Sequence, residues 1–217
     1  MDRRAAVDRV ERLLDAIDDG PLPVPIREVW VVGELALGLD PVERIDLYIS
    51  KDLLFARGGT DAEAETAYED TYGVAGIGTT VDAAWASANP EHIRANENGH
   101  AAPERCLAAH LLRPEEPIHL EVCNASFEQN IRQRVRGARA RESYEEVLDP
   151  RGVCLWMDGQ RSEEAPEKLR DGAYVFPTLQ EALAMIGLDE GEAQSAERAI
   201  NDWRDQQEGR SVRGDVV

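Results

Sequence analysis

Residues 32–49 read VGELALGLDPVERIDLYI, and the reading of this stretch decides the fold. Just upstream, IREVWVV is a short apolar run of the kind that forms a buried strand, and Gly33 follows it at once. ELALGLDPVE offers a turn or short helix. RIDLYIS then alternates: Ile45, Leu47 and Ile49 point one way, and Arg44, Asp46 and Tyr48 the other. The expectation is strand, glycine turn, short helix, strand.

Working outward, Val7, Val10, Leu13, Leu14 and Ile17 recur at helical spacing, and Asp18-Asp19-Gly20 with Pro21 ends that helix. Beyond Lys51 the pattern weakens. TDAEAETAYED reads as an acidic helix with Thr60 and Glu63 in capping-box positions, and VDAAWASA and PEHIRA read as short helices. GVAGIGTT reads as a loop, because it lacks the Gly-Lys-Ser/Thr ending of a phosphate-binding loop. After Gly99 the signal returns. Pro103 sits in the first turn of a helix. IHLEVCN alternates, with Ile118, Leu120 and Val122 on one face and His119, Glu121 and Cys123 on the other. Phe127, Ile131 and Val135 mark a further helix. YEEVLDPRGVCLWMDG reads as a strand or hairpin turning at Asp149–Gly152. Three helical stretches follow, one of them opened by a Thr178/Glu181 capping box and stopped by Gly187.

The order gives an α/β (α+β) core of about four strands with flanking helices and a helical C-terminal extension. The core is assigned to residues 1–158 with an insertion at about 57–100, the helical region to 159–208, and a flexible tail to 209–217.

Charge bounds the setting. The 217 residues include 43 acids against 24 Lys and Arg, for a net charge of −19, and 42% are hydrophobic, enough for a real core. Lys occurs only at Lys51 and Lys168. Acid spread along a Lys-poor chain is what a salt-filled cytosol favours, because concentrated salt screens the repulsion among carboxylates. The acidity is therefore expected to describe a halophile's proteome rather than a partner. No apolar run reaches the roughly 20 residues that span a bilayer, and the first residues are too charged for a signal peptide. A cytoplasmic protein with no membrane partner is expected. Three cysteines, an odd count, argue against a disulfide framework.

The 32–49 stretch resembles the signature of minimal nucleotidyltransferases of the DNA polymerase β superfamily: an apolar strand, Gly-Ser, a helix, then Asp-x-Asp on the next strand. Gly33, Ala36, Gly38 and Asp46 fall in that register without gaps. The family's third carboxylate lies on a later strand, where IHLEV offers Glu121, and VLDPRGV at 147–153 resembles a further family strand. The resemblance implies three carboxylates that hold two Mg²⁺ ions, which clamp a triphosphate and activate an acceptor hydroxyl. The departures fall on those functions. Glu34 replaces the Ser that should donate to phosphate. Arg44 replaces the first Asp, a fixed cation where a metal ligand is needed. Arg44 is expected to stand among Asp46, Glu121 and Glu34 in place of the metal.

Two other constellations stand out. Cys106, His110, His119 and Cys123 are zinc-ligand types, but C-x3-H-x8-H-x3-C matches no familiar zinc module, and core packing is the simpler reading. Arg132, Arg134, Arg136, Arg139 and Arg141 form the chain's only concentrated basic segment, and Arg132, Arg136 and Arg139 would share a helical face suited to RNA phosphate or an acidic partner. Balance by Glu128, Glu142, Glu145 and Glu146 is the alternative. No DNA groove-binding motif is present.

The functional expectation is a non-catalytic, nucleotidyltransferase-like binding or regulatory protein that needs no cofactor and works with a protein or RNA partner. One alternative is an active Mg²⁺-dependent nucleotidyltransferase with Asp46 and Glu121 as metal ligands. The other is an RNA-associated protein that uses residues 131–141.

Overall fold

The structure is a computed structural model that describes residues 1–52, 62–78, 80–206 and 209–214. Helix α1 (Arg3–Asp19) opens with the Asp2 side chain accepting the Ala5 N–H at 2.8 Å. Strand β1 (Ile26–Val32) runs into the one-turn helix α2 (Gly33–Ala36), and β2 (Ile45–Lys51) returns antiparallel to it, pairing Val32 with Asp46. Helices α3 (Ala62–Tyr72) and α4 (Ala83–Ala88) and a 3₁₀ turn at Pro90–His92 follow. Helix α5 (Pro103–Leu111) then crosses to β3 (Ile118–Cys123), which lies parallel to β2. Helix α6 (Phe127–Arg141), the hairpin of β4 (Gly152–Met157) and β5 (Gln160–Arg161), and helices α7 (Glu164–Asp171), α8 (Leu179–Met185) and α9 (Glu190–Asp205) lead to β6 (Ser211–Arg213).

Among the described residues the sheet has six strands in the order β5-β4-β1-β2-β3-β6, parallel at β2/β3 and β3/β6 and antiparallel elsewhere. The mixed α+β class is as the sequence indicates. The strand count is higher than about four because β5 and β6 are too short to leave a periodic signal.

Strand alternation sorts the core into two layers. Ile45, Leu47, Ile49, Ile118, Leu120 and Val122 pack with α1, α2, α5 and α7 on one face. Tyr48 and Cys123 pack with α6, α8 and α9 on the other. Each aliphatic side chain withdrawn from water contributes about 1.5–3 kcal/mol, which makes the first layer the main source of stability. A third cluster, built on Tyr68, Trp85 and Ile93, lies under the insertion and includes Cys106 of α5.

Three expectations change. The hairpin turns at Asp158-Gly159, both at positive φ, rather than at Asp149–Gly152. Asp149 is instead buried in an ion pair with Arg151, whose N–H groups it accepts through both carboxylate oxygens. Residues 211–213 of the expected tail form β6, because Val212 rests on the main core while Ser211 and Arg213 find polar partners on β3. The capping box at Thr60 lies outside the described residues, whereas the one at Thr178/Glu181 is present.

Candidate functional site: a carboxylate face matched by arginines

Parallel pairing of β2 with β3 sets Asp46 beside His119 and Tyr48 beside Glu121, so Asp46 and Glu121 share a face, as alternation requires. Asp149 joins them from the loop before β4. The three carboxylates line one cavity of about 40 Å³ and are only 4%, 2% and 6% exposed. That volume holds a few waters and falls far short of a nucleotide.

Buried carboxylates need partners, and each here has two arginines in reach. Arg44 Nε donates to Asp46 Oδ1 at 2.8 Å, and Arg204 NH2 stands 4.0 Å from Asp46 Oδ2. Arg134 and Arg213 both donate to Glu121, the latter at 2.8 Å. Arg151 forks onto Asp149, with Arg204 NH1 at 4.0 Å. Two guanidiniums lie over the Trp203 ring, Arg44 at 5.7 Å and Arg213 at 4.9 Å from its centre, and His119 meets it edge-on. Arg44 also donates to the Arg204 carbonyl at 3.2 Å, which tethers the end of α9.

The electrostatics differ between the two strand acids. Burial pushes the Asp46 carboxyl above its ordinary range, more than Arg44 and Arg204 pull it down. Burial also works to raise Glu121, but His119, Arg213 and Arg134 together outweigh it and hold that carboxyl at about 2.

Gly33 is dictated by this crowding. Its φ is +68°, and a Cβ there would come within 2.5 Å of Asp46 Oδ2. Glu34 is turned elsewhere: its Oε2 accepts the backbone N–H of Glu43 at 2.7 Å and of Arg44 at 3.3 Å, pinning the start of β2. The expected gathering of Arg44 with Asp46, Glu121 and Glu34 is therefore met only at Asp46. Glu121 is instead matched by Arg134 and Arg213.

A Mg²⁺ pair does not fit these residues. The Arg44 guanidinium already bonds Asp46, and two more cover Glu121, so fixed cations stand where metal ions would need open carboxylate oxygens.

The arginine helix divides. Arg134 points inward to Glu121 and the Glu146 carbonyl. Arg132 pairs with Glu128, Arg141 with Glu146, and Arg139 with Glu192 of α9. Among the described residues Arg136 alone of the five has no carboxylate partner. The zinc-type residues separate: Cys106 lies in the cluster under the insertion and Cys123 in the α6/α9 layer. His110 packs on Trp85 and His92, while His119 bonds Ser211. Among the described residues no group of three or more such side chains could hold a metal ion. No described helix is long and apolar enough to cross a membrane.

Sequence reading missed Asp149, Trp203, Arg204 and Arg213, which reach the face through tertiary packing. Arg134 did leave a signal. It lies three residues after Ile131 and four before Ala138, on the edge of the buried stripe.

No curated protein matches the chain. No solved structure matches it. A family model described as "Family of unknown function (DUF7095)" matches residues 2–217, essentially end to end, and the chain belongs to that family.

Proposed function

We propose that this protein is a nucleotidyltransferase-like scaffold without catalysis that serves as a binding or regulatory module in a salt-rich cytosol. The strand–Gly33–helix–strand order and the placement of Asp46 and Glu121 side by side on one face support the scaffold. The carrying observation for lost catalysis is the Arg44–Asp46 pair, 2.8 Å apart, with Arg44 at the position of the pattern's first Asp. A buried guanidinium is a permanent cation with five donors, so it supplies locally the charge that a metal supplies in an active enzyme, but it has no open coordination position to offer a phosphate. The net charge of −19 and the near absence of Lys support the salt-rich setting.

Isothermal titration of the full chain with ATP and MgCl₂ at high KCl tests the reading. No metal-dependent heat is expected. Tight Mg²⁺-dependent binding, followed by NMP transfer to any acceptor, would return the protein to the active nucleotidyltransferases.

A further inference from the structure

The sheet ends on β6, and β6 is its least secured parallel strand. Its three residues, all half-buried, pair with His119, Leu120 and Glu121. Ser211 Oγ meets His119 Nδ1 at 2.7 Å, Val212 packs on the main core, and Arg213 sits between Glu121 and the Trp203 ring. The fit is incomplete. Arg213 Nε and His119 Nε2 are both buried without a hydrogen-bond partner, and His119 Nε2 stands 3.8 Å from Glu121, beyond bonding distance. A three-residue edge strand with one apolar contact and an unmet Arg213 Nε belongs to the low-stability end of a fold.

Charge on the remaining face makes such a strand removable. When Arg213 leaves, Glu121 keeps Arg134. Asp46 keeps Arg44 and Asp149 keeps Arg151. Trp203 stays, because α9 is anchored by Ala193, Ala196 and Ile200 in the second core layer. No buried carboxylate is left unpaired, so the penalty that usually locks a buried ion pair does not apply to β6.

We propose that β6 is an autoinhibitory pseudo-ligand and that the β3 edge beneath it is a docking site for a basic partner strand of the pattern hydroxyl–apolar–arginine. Strand addition to β3 supplies the main-chain hydrogen bonds. The hydroxyl meets His119, the apolar residue enters the core position of Val212, and the arginine enters the slot between Trp203 and Glu121. The slot itself selects an arginine over a neutral side chain, because the Glu121 carboxylate there is buried beyond the reach of screening salt and the Trp203 ring lies beside it. The tethered strand competes at an effective concentration on the order of millimolar, so a partner gains access only in proportion to the open fraction. This inference rests on the reading of the face as a binding surface. Mg²⁺-nucleotide titration tests that reading, and peptide displacement tests this one separately.

The experiment titrates a fluorescein-labelled peptide, GRSVRG (the sequence of residues 209–214), into full-length protein and follows anisotropy. Arg213→Gln, which weakens the resident strand, is expected to bind the peptide at least about tenfold more tightly than wild type. Adding Glu121→Gln should abolish that gain. Equal binding to wild type and Arg213→Gln, or none to either, overturns the proposal. A concentration-dependent dimer of Arg213→Gln overturns the partner in favour of a second copy of this chain. If Arg213→Gln does not fold, hydrogen exchange of the wild type decides. Amides of residues 211–213 should exchange at least roughly 100-fold faster than those of β1 and β2, and exchange at the rate of β1 and β2 would overturn the latch.

Discussion

Strands β2 and β3 are buried on both faces, yet the two faces exclude water by different chemistry. Toward α1 and α5, Ile45, Leu47, Ile49, Ile118, Leu120 and Val122 form a continuous aliphatic layer. Toward α6 and α9, Asp46, Tyr48, His119 and Glu121 are about as deeply buried, and the two carboxylates among them are answered by arginines. The aliphatic face is nondirectional and carries no group that titrates. The charged face is specified pair by pair, and its stability depends on no partner being missing. The backbone is one sheet. What differs is how each face responds when a single side chain is changed.

The largest contrast is expected at Arg44. Arg44→Ala leaves Asp46 buried with only the distant Arg204, at a cost of about 3–5 kcal/mol. Leu47→Ala on the opposite face costs a comparable amount of about 2–5 kcal/mol. The difference emerges in the repair. Replacing both members of the pair, Arg44→Leu with Asp46→Leu, should recover most of the loss, because two matched apolar groups need no charge partner. No second substitution beside Leu47 should refill its cavity as well. Denaturant unfolding of these variants measures this. An Arg44→Ala loss below about 1 kcal/mol would make the pair a surface interaction and erase the contrast.

Placing a carboxylate at position 44 comes next in size. Arg44→Asp places two acids beside each other, and the proposed scaffold predicts that Mg²⁺ or Mn²⁺ raises the melting temperature of this variant and leaves wild type unmoved. Equal metal response in both would count against the site's descent from a metal centre.

The acid limb separates the faces by titration. Glu121 has a folded pKa of about 2 against an ordinary 4.5, so its contribution is fully present above pH 4.5 and is lost as pH falls toward 2. Asp46 has the opposite sign. Its pKa is raised, so ionising it costs the folded state, and protonation at low pH relieves that cost. The stability gap between wild type and Glu121→Gln should therefore shrink as pH is lowered from 4.5 toward 2. The gap between wild type and Leu47→Ala should stay constant. A wild type–Glu121→Gln gap independent of pH would show that Glu121 titrates alike in both states.

The aliphatic face was legible in the sequence because period-two alternation places each residue without reference to the rest of the chain. Alternation likewise put Asp46 and Glu121 on the polar sides of their own strands, but that the two sides form one face follows from the pairing of β2 with β3, which alternation alone does not give. Their partners were not legible in this way. Arg213 reaches Glu121 across 92 residues, from a three-residue strand, Ser-Val-Arg, set between Gly209 and Gly214 in a stretch that reads as a tail. Arg204 and Trp203 sit at the end of an amphipathic helix whose pattern says that it packs, but not on which ions its last turn lands. Asp149 stands in a Pro-Gly-flanked context whose strongest local signal is a turn, and burial beside Arg151 overrode it. Local periodicity finds a face, and pairing across the chain decides which charges meet on it.

The smallest effect is expected on the outer side of α6, where the same residue type plays the opposite part. Arg132 and Arg136 are exposed, Arg132 pairs with the exposed Glu128, and Arg134, two residues from each, is half-buried with its guanidinium on the buried Glu121. Exposed pairs of this kind contribute about 0–1 kcal/mol, because water already solvates both ends and salt screens the remainder. Charge reversal at Arg132 and Arg136 together should leave the melting temperature nearly unchanged, and still less changed at high KCl. Arg134→Glu should unfold the protein or lower its melting temperature sharply, since it sets a second carboxylate against Glu121. Charge reversal also tests the RNA reading, because co-purifying nucleic acid that disappears with the Arg132/Arg136 double variant, while stability holds, would give this outer face a function. If outer and inner arginines proved equally costly to reverse, burial would not be what separates them, and the pairwise account of the charged face would fail with it.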